Sequence, residues 1–265
     1  MKIFLIRHAE TVDNVGQAWA GTTDSSLTNH GVLQIQRLAQ YFVAMHANFT
    51  HVFSSDLKRA VATAEGIVSP NQGAGPSLLP VTTPLLQEQH FGSREGSSFR
   101  RGSNNTSVRP SEPAKTVAVE TESSMRARAY AFLSEYLLPV IFDGSGDVAI
   151  VAHGMILRVL WGCLAQLFSP ADVRLAPEVE AARSQGLFPM WSNTGFMEVS
   201  VLAQPLLPAS VGRGNTYPLA GWSMTVLSHD SKPHLDDLRR TRGGIGSMQH
   251  DETQQRIDSF FGPRA

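Results

Sequence analysis

The first fourteen residues, MKIFLIRHAETVDN (Met1–Asn14), place an arginine and a histidine directly after a run of apolar residues. The run Lys2–Ile6 has the length and the composition of a buried β-strand. In open α/β sheets, ligands bind beyond the carboxyl ends of the strands. Arg7 and His8, which follow this strand, are therefore predicted to lie where such a sheet binds its ligand.

A second strong strand ends in the same way. Asp147–Ala152 (DVAIVA) runs into His153 and Gly154, and a helical pattern follows, whose free N-terminal amides are predicted to face an anion. A weaker strand, His51–Ser54, precedes a helix with Arg59 in its first turn. Taken alone, each of these histidines and arginines is more often a hydrogen-bonded or solvated structural residue. Their coincidence at three strand ends on one predicted edge favours an anion site.

The alternation of strands and helices along the chain indicates an α/β fold with helices on the faces of the sheet. The predicted amphipathic helices are Thr28–His46, a helix capped by Ser55 or Asp56, Glu122–Leu138 and Met155–Phe168. Two later runs, Gly195–Leu202 and Trp222–Ser228, are predicted to form antiparallel strands.

Composition narrows the class of protein. The chain has 265 residues, 42% hydrophobic and 17% charged, so one larger domain with a tail is expected. The formal net charge of −1 gives no general attraction to nucleic acid or to anionic membranes, so an anion must be bound locally. The one cysteine, Cys163, suits a reducing compartment and a buried helix position. With no signal-peptide pattern and no apolar run of about 20 residues, a soluble cytosolic or nuclear protein is expected.

Two stretches do not have the composition of a core. Residues 97–120 include a segment rich in Ser, Asn, Pro and Arg, which is typical of a long exposed loop inside a domain. Residues 236–265 carry many charges and glycines with little periodicity, and they are predicted to form a flexible, disordered tail. The folded domain is therefore expected to span residues 1–235.

Four motifs occur in a fixed order: RHAET at Arg7–Thr11, SSDLKRAVATA at Ser54–Ala64, Glu88 followed by FG and EG, and VAHG at Val151–Gly154. In order and spacing they resemble the histidine phosphatase superfamily, also called the phosphoglycerate-mutase-like family, over residues 1–235. The resemblance implies a three-layer sandwich with a mostly parallel central sheet. One departure is Ala9, where the family has glycine. Its methyl group is either tolerated there or, because it crowds backbone that the resemblance places close to the phosphate, lowers the rate or alters the loop geometry.

The resemblance also implies roles for the converging side chains. A phosphoryl group in transit carries charge on several oxygens, so its transfer needs fixed positive donors and an in-line nucleophile. Arg7 and Arg59 supply planar donors for those oxygens. His8 attacks through a neutral ring nitrogen and becomes phosphohistidine, while a local acceptor such as a backbone carbonyl holds its other nitrogen. His153 lies opposite as a protonated or hydrogen-bonding phosphate ligand.

The resemblance further implies that Glu88 donates a proton to the leaving oxygen and later takes one from the attacking water. Without the FG and EG that follow it, Glu88 would be interpreted as a solvated loop carboxylate. Asn14 matches the family's amide donor, and Gly21 and Gly154 complete the implied substrate-binding set. No metal or cofactor is expected, because the arginines and histidines supply the positive charge and the nine histidines show no ligand spacing.

The residues after Glu88 favour a phosphatase over a mutase. Glycolytic mutases of this family follow the catalytic glutamate with Arg-His-Tyr-Gly, which grips a second acidic group, whereas this chain has Gln89–Gly92 (QHFG). A metal-independent phosphomonoesterase for small phosphorylated substrates is predicted, with a mutase-type phosphotransferase as the alternative. Arg94, Arg100 and Arg101 stay open as a second anion site or, the preferred interpretation, as solvated charges.

The tail carries a second hypothesis, of a different class. Its end, ETQQRIDSFFGPRA, fits the Q-x-x-[ILM]-x-x-[FY]-[FY] pattern of peptides that bind the DNA sliding clamp PCNA, through Gln254, Ile257, Phe260 and Phe261. Ile257 and the two phenylalanines would fall on one side of a helical turn as a hydrophobic plug. The alternatives are a clasp on the protein's own surface and a chance match. A noncatalytic scaffold delivered to chromatin by the tail stays open beside the enzyme. A peptide of residues 250–265 that fails to bind a clamp would remove the tail hypothesis.

Overall fold

The centre of the computed structural model, which describes residues 1–68, 78–99, 116–144, 146–204, 217–251 and 253, is one mixed β-sheet. Its strands are β1 (Lys2–Arg7), β2 (Phe49–Ser55), β3 (Val81–Thr83), β4 (Asp147–Ala152), β5 (Val173–Leu175), β6 (Phe196–Ala203) and β7 (Trp222–Ser231). They lie in the order β3-β2-β4-β1-β6-β7-β5. Neighbours are parallel from β3 to β1 and between β7 and β5, while β6 is antiparallel to β1 and β7. The predicted α/β fold with a mostly parallel sheet is confirmed.

Helices cover both faces of the sheet. They are α1 (Val12–Gly16), α2 (Asn29–Ala44), α3 (Lys58–Val68), α4 (Glu122–Phe132), α5 (Leu138–Asp143), α6 (Gly154–Ala165) and α7 (Pro177–Ser184). Successive side chains of a strand point to opposite faces. In β1, Phe4 and Ile6 therefore pack with α2 and α3, while Ile3 and Leu5 pack with α4 and α6. Because both faces of this strand are buried, it appears in the sequence as a continuous apolar run.

The helix predicted over Glu122–Leu138 is longer and less regular in the structure. After α4, a π-helical turn occupies Leu133–Leu137, and α5 then continues to Asp143. Pro139 lies in the first turn of α5, and a proline lacks the N–H that an uninterrupted α-helix would need there. The widened turn before it lets the chain continue in the same direction, which helical periodicity alone does not reveal.

The first backbone N–H of α3 finds its partner outside the predicted segment. Ser55, one of the two predicted caps, accepts a hydrogen bond from the backbone N–H of Leu57 (3.3 Å), which lies before the helix rather than in it. The backbone N–H of Lys58, however, donates to Oδ1 of Asp24 (2.9 Å), which precedes it by more than thirty residues in the chain. The other predicted cap, Asp56, instead accepts from the side-chain amide of Gln87 (2.8 Å).

Residues 236–251 differ from the prediction of a disordered tail beginning at position 236. This segment, the C-terminal strap, lies along the start of α2. Arg240 forms a bidentate ion pair with Glu10, and Asn29 donates from its side chain to the carbonyl oxygen of Ile245 (3.0 Å). The backbone N–H of His250 donates to the carbonyl oxygen of Leu27 (2.8 Å). A polar sequence is ordered here because its backbone and charges find partners on the domain rather than because it buries a core.

Two predicted features lie wholly or mostly outside the described residues. These are the interior of the 97–120 insertion and the clamp-binding motif at positions 254–261. The motif stays a prediction. Over the ranges that the structure does describe, none of the helices is both long and apolar enough to cross a membrane.

Candidate active site

The ends of β1 and β4 bring the two predicted histidines together. These strands are parallel neighbours in which Arg7 pairs with Ala152, so the next residue of each strand emerges at the same edge. The backbone N–H of His8 donates to the carbonyl oxygen of Ala152 (3.0 Å), and the ring centroids of His8 and His153 are 4.9 Å apart. Both side chains are buried.

His8 is held in one tautomer. Its Nδ1 lies 2.7 Å from the carbonyl oxygen of Ala9, and because a carbonyl only accepts, Nδ1 carries the proton. Nε2 therefore keeps its lone pair. Burial and the charges of Arg59 and Arg7 lower the pKa of His8 well below its ordinary value. The ring is thus neutral near pH 7, with Nε2 as a nucleophile.

His153 takes the opposite tautomer. Nε of Arg59 lies 3.3 Å from Nδ1 of His153 and can only donate, so Nδ1 is the acceptor and Nε2 carries the proton. Burial, the neighbouring His8 and the charges of Arg59, Arg7 and Arg128 lower the pKa of His153 well below its ordinary value. Nε2 is buried and has no hydrogen-bond partner in the part of the chain that is described. Such an unpaired donor is costly, so this N–H requires an acceptor from a ligand.

Arg59 also fixes the loop over the site. It is 2% exposed, and its Nη1 and Nη2 donate to the carbonyl oxygens of Thr23 (2.8 Å) and Gly21 (2.6 Å). Gly21 has φ +57°, and a Cβ there would collide with Oε1 of Glu95. The structure therefore explains this glycine by its conformation and by its carbonyl contact with Arg59.

Arg7 is a half-buried cation at the carboxyl end of β1. Its Nη1 donates to the carbonyl oxygen of Trp191 (2.9 Å), whereas its Nε is buried without a partner among the described residues. Burial lowers the pKa of Arg7, and the charges of Glu88 and Asp230 act in the opposite direction. A guanidinium stays charged in proteins, so a bound anion would stabilise Arg7 by pairing with its charge and with its free N–H.

Glu88 occupies the N-terminus of α6. Its Oε1 accepts from the backbone N–H groups of Gln89 (2.9 Å), Met155 (3.1 Å) and Ile156 (3.1 Å), and Oε2 lies 3.2 Å from that of Met155. The anion predicted at this helix start is therefore the protein's own carboxylate, attracted by free amides and the helix dipole. A Cβ on Gly154 would lie 3.9 Å from Oε2, an ordinary contact, so packing does not require glycine there.

The side-chain amide of Asn14 is held through its oxygen. Its Oδ1 accepts from the backbone N–H of Thr11 (3.2 Å) and from Nδ2 of Asn193 (2.9 Å), and its amide nitrogen has no partner among the described residues. The same Nδ2 of Asn193 donates to the carbonyl oxygen of His8 (3.0 Å). Asn193, in an Asn-Thr-Gly directly before β6, is a residue to which sequence reasoning gave no role. The structure shows it joining the loop after β1 to the start of β6.

Ala9, the departure from the family pattern, fits without strain. Its methyl group is buried, its φ is not among the positive values that favour glycine, and its N–H donates to Oγ1 of Thr63 (3.1 Å). The expected distortion of the loop is not seen in its backbone.

Sequence reasoning gave Glu95 no role, although it belongs to the EG pair that was noted. Its carboxylate accepts from the N–H and hydroxyl groups of Thr22 and Thr23 and from the N–H of Phe91 (3.0 Å). Burial alone would raise its pKa, but these hydrogen bonds outweigh burial and hold the pKa below its usual value. Glu95 thereby ties the Gly21 loop to the segment after Glu88.

The surroundings of Glu88 are polar. A cavity of about 470 Å³ opens beside it, lined by Thr22, Gln87, Glu88, His90, Glu120 and Arg128. Arg94 lies in a 3₁₀ turn (Gly92–Arg94), while Arg100 and Arg101 are outside the described residues. No group of three or more His, Cys, Asp or Glu side chains in the described ranges is arranged to hold a metal ion.

Comparisons with known proteins agree with this geometry. A probable phosphatase of Schizosaccharomyces pombe is 30% identical over 262 residues, covering 97% of this chain and 78% of that protein. A probable phosphoglycerate mutase GpmB of Yersinia pestis is 31% identical over 186 residues, covering 66% of this chain and 80% of that protein. Both phosphatase and mutase names therefore occur among the relatives.

Solved structures show the same fold. A mycobacterial glucosyl-3-phosphoglycerate phosphatase in complex with VO3 superposes with a TM-score of 0.58 at 18% identity, covering 87% of this chain and 98% of that one. The alpha-ribazole phosphatase of Shigella flexneri gives 0.57 at 21% identity, covering 88% and 97%. The profile of the histidine phosphatase superfamily (branch 1) matches residues 3–176. Because that match spans more than half of the chain and includes both strands that carry the histidines, the protein belongs to the histidine phosphatase superfamily.

Proposed function

We propose that this protein is a metal-independent phosphomonoesterase that acts on small phosphorylated substrates through a phosphohistidine at Nε2 of His8. The observation that carries the proposal is the pair of unpartnered buried donors, Nε of Arg7 and Nε2 of His153, beside a neutral histidine. A phosphoryl group supplies the acceptors that these donors lack. We call Arg7, His8, Arg59 and His153 the phosphate cup.

The reaction has two balanced steps. The lone pair on Nε2 of His8 attacks phosphorus while the bond to the leaving oxygen breaks, and Glu88 supplies the proton that the leaving oxygen takes up. Oε2 of Glu88 is the oxygen for this transfer, since Oε1 already accepts from three backbone N–H groups. Water then attacks the phosphohistidine, its proton returns to Glu88, and the P–N bond breaks to release phosphate. The donors of Arg7 and His153 stabilise the charge that develops on the phosphoryl oxygens.

The segment after Glu88 supports hydrolysis over a mutase reaction. Gln89 stands where the mutases have an arginine, and its side chain donates to the carbonyl oxygen of Glu120 (2.7 Å). It thus carries no positive charge for a second acidic group. Because one relative is named a probable phosphoglycerate mutase, isomerisation of a phosphoglycerate is the second candidate function.

The test is turnover of a panel of phosphate monoesters by the full chain, with His8→Ala as the blank and His51→Ala as a matched histidine control. We expect inorganic phosphate from the unaltered chain and from His51→Ala, and none from His8→Ala. Brief mixing with ³²P-labelled substrate followed by an alkaline quench should trap label on His8. A panel without phosphate release and without trapped label would overturn the proposal. A rearranged ester in place of free phosphate would support the mutase.

A further inference from the structure

We propose that Arg128, on α4, is a positioning residue that holds Glu88 in place for proton transfer. The inference rests on the proposed function, in which Glu88 is the acid and base. Arg128 follows Glu88 by forty residues in the chain and lies outside the motifs of the sequence analysis.

The guanidinium of Arg128 reaches the backbone of the segment that leads to Glu88. Its Nη1 lies 2.9 Å from the carbonyl oxygen of Leu85 and 3.0 Å from that of Gln87. Its Nη2 lies 3.5 Å from the carbonyl oxygen of Glu88 itself. With a longer contact to the carbonyl oxygen of Pro84 (3.5 Å), a single side chain therefore reaches four backbone carbonyl groups between Pro84 and the proposed acid.

Glu120 fixes the orientation of that guanidinium. Nε and Nη2 of Arg128 donate to Oε1 and Oε2 of Glu120, both at 2.9 Å, in a bidentate pair. Glu120 also binds the chain beyond Glu88, because its backbone N–H donates to the carbonyl oxygen of His90 (2.8 Å) and its Oε2 accepts from the N–H of His90 (3.3 Å). The Arg128–Glu120 pair thus brackets residues 85–90, with Glu88 between its two attachments.

The segment needs such a bracket because regular structure does not hold it. Residues 87–91 lie between two 3₁₀ turns, Pro84–Leu86 and Gly92–Arg94, and belong to neither a helix nor a strand. Side-chain contacts therefore set the position of Glu88. The ion pair can hold this segment because solvent screens it little: the side chains of Arg128 and Glu120 are only 21% and 13% exposed.

Arg128 is not a substrate ligand in this geometry, although it lines the cavity beside Glu88. A guanidinium has five N–H donors. The contacts with Glu120, Leu85, Gln87 and Glu88 use its nitrogens in full. Through these contacts it acts on Glu88, while its charge also helps to lower the pKa of His153.

The experiment compares two aryl phosphates whose leaving groups differ in how strongly their departure depends on protonation by an acid. The leaving group of 4-nitrophenyl phosphate departs without protonation, whereas that of phenyl phosphate is more basic and benefits from a proton donor. For Arg128→Gln we expect kcat/KM to fall about 10- to 100-fold for phenyl phosphate, and less than about 3-fold for 4-nitrophenyl phosphate. Arg128→Lys should restore part of the loss, because an ammonium still reaches one carbonyl.

Two further variants make the outcome specific. In a Glu88→Gln background, Arg128→Gln should add little, since the group that it positions is already gone. Arg126→Gln is the control on the same helix, where Arg126 contacts Gln166 (2.7 Å), away from the site, and both substrates should be unaffected. Circular dichroism checks that each variant is folded, and Glu120→Gln offers a milder break of the same bracket should Arg128→Gln unfold.

An equal loss for both substrates, or the full loss in the Glu88→Gln background, would overturn the positioning role. Failure of the proposed function gives a different pattern. In that case the unaltered chain releases phosphate from neither substrate, or Glu88→Gln leaves phenyl phosphate turnover unchanged while His8→Ala abolishes it.

Discussion

Replacing Arg59 by lysine should cost far more stability than replacing Arg7 by lysine, although both belong to the phosphate cup. Arg59 donates to the carbonyl oxygens of Gly21 and Thr23 and to Nδ1 of His153. For Arg7, the structure gives one such bond, to a backbone carbonyl. A lysine ammonium is a compact charge that cannot span the three acceptors of Arg59.

The contacts set the magnitude. A hydrogen bond from a charged group contributes about 1.5–3 kcal/mol. Arg59→Lys retains one of three such bonds, so its free energy of unfolding should fall by roughly 3–6 kcal/mol. Arg7→Lys can keep its single acceptor, so its loss should stay below about 1.5 kcal/mol.

Urea unfolding followed by tryptophan fluorescence measures both variants, with an unchanged m-value as the check that the unfolded state is comparable. Vanadate, a phosphate analogue, adds a second readout. At one hundred times its Kd it should stabilise the unaltered chain by about 2.7 kcal/mol, and each variant by less. Equal losses for the two lysine variants, or a larger loss for Arg7→Lys, would refute the reasoning from buried contacts.

Four further outcomes follow from the same geometry. Nitrogen-15 NMR should show His8 as the Nδ1–H tautomer and His153 as the Nε2–H tautomer, both uncharged at pH 7. The free energy of unfolding should fall as the pH drops below about 6.5, measured by urea titration, because both histidines have lowered pKa values when folded and take up protons at their ordinary pKa when unfolded. Ala9→Gly should leave kcat unchanged and lower stability by about 0.5–1 kcal/mol in thermal melts, since the backbone at Ala9 does not need glycine. Arg240→Met should cost about 1 kcal/mol in the same melts, because it removes the bidentate partner of the buried Glu10.

A specific result would contradict each of these four predictions. A charged His8 at neutral pH would mean that its Nε2 has no lone pair with which to attack phosphorus. A free energy of unfolding that stays constant below pH 6.5 would mean that the two histidines have the same pKa values in the folded and the unfolded chain. A rise in kcat for Ala9→Gly would show that the methyl group does hinder the loop. Arg239→Met is the matched control for Arg240, as Arg239 is exposed, and an equal loss in both would deny the ion pair its role.

The positions of the histidines were predictable because parallel strands leave little freedom. Once Lys2–Ile6 and Asp147–Ala152 are predicted to be buried parallel strands, the residues that follow them must emerge at one edge of the sheet. The local carbonyl expected to hold the ring of His8 is that of Ala9, its nearest neighbour in the chain. Short sequence patterns are therefore sufficient to predict where the two histidines lie.

The contacts that hold the site were not predictable, because each joins residues far apart in the chain. Asp24 caps α3, Glu95 ties down the loop at Gly21, and Arg128 brackets Glu88. Periodicity identifies which face of an element is buried, but not which distant polar group will meet a particular N–H or carbonyl. The C-terminal strap was missed for the same reason, since its order comes from partners such as Glu10 rather than from its own composition.

The two arginines of the cup act on both the phosphate and the nucleophile. Their charges, together with burial, keep His8 unprotonated, so the lone pair on Nε2 is available near pH 7 without a neighbouring base. When a phosphate dianion enters, its charge offsets theirs, and the environment then favours positive charge on the ring that forms as Nε2 bonds to phosphorus. In the proposed reaction, the two arginines thus keep the nucleophile neutral before phosphate binds and allow positive charge on the ring once it has attacked phosphorus. Replacing either arginine by an uncharged residue should therefore raise the pKa of His8 in the unliganded protein as well as weaken phosphate binding. NMR titration of His8 in Arg7→Lys, where the charge is kept, and in Arg7→Met, where it is lost, isolates the effect of the charge. A pKa for His8 that is the same in both variants would show that the charge of Arg7 does not help to keep the ring neutral, which leaves burial and Arg59 as the causes.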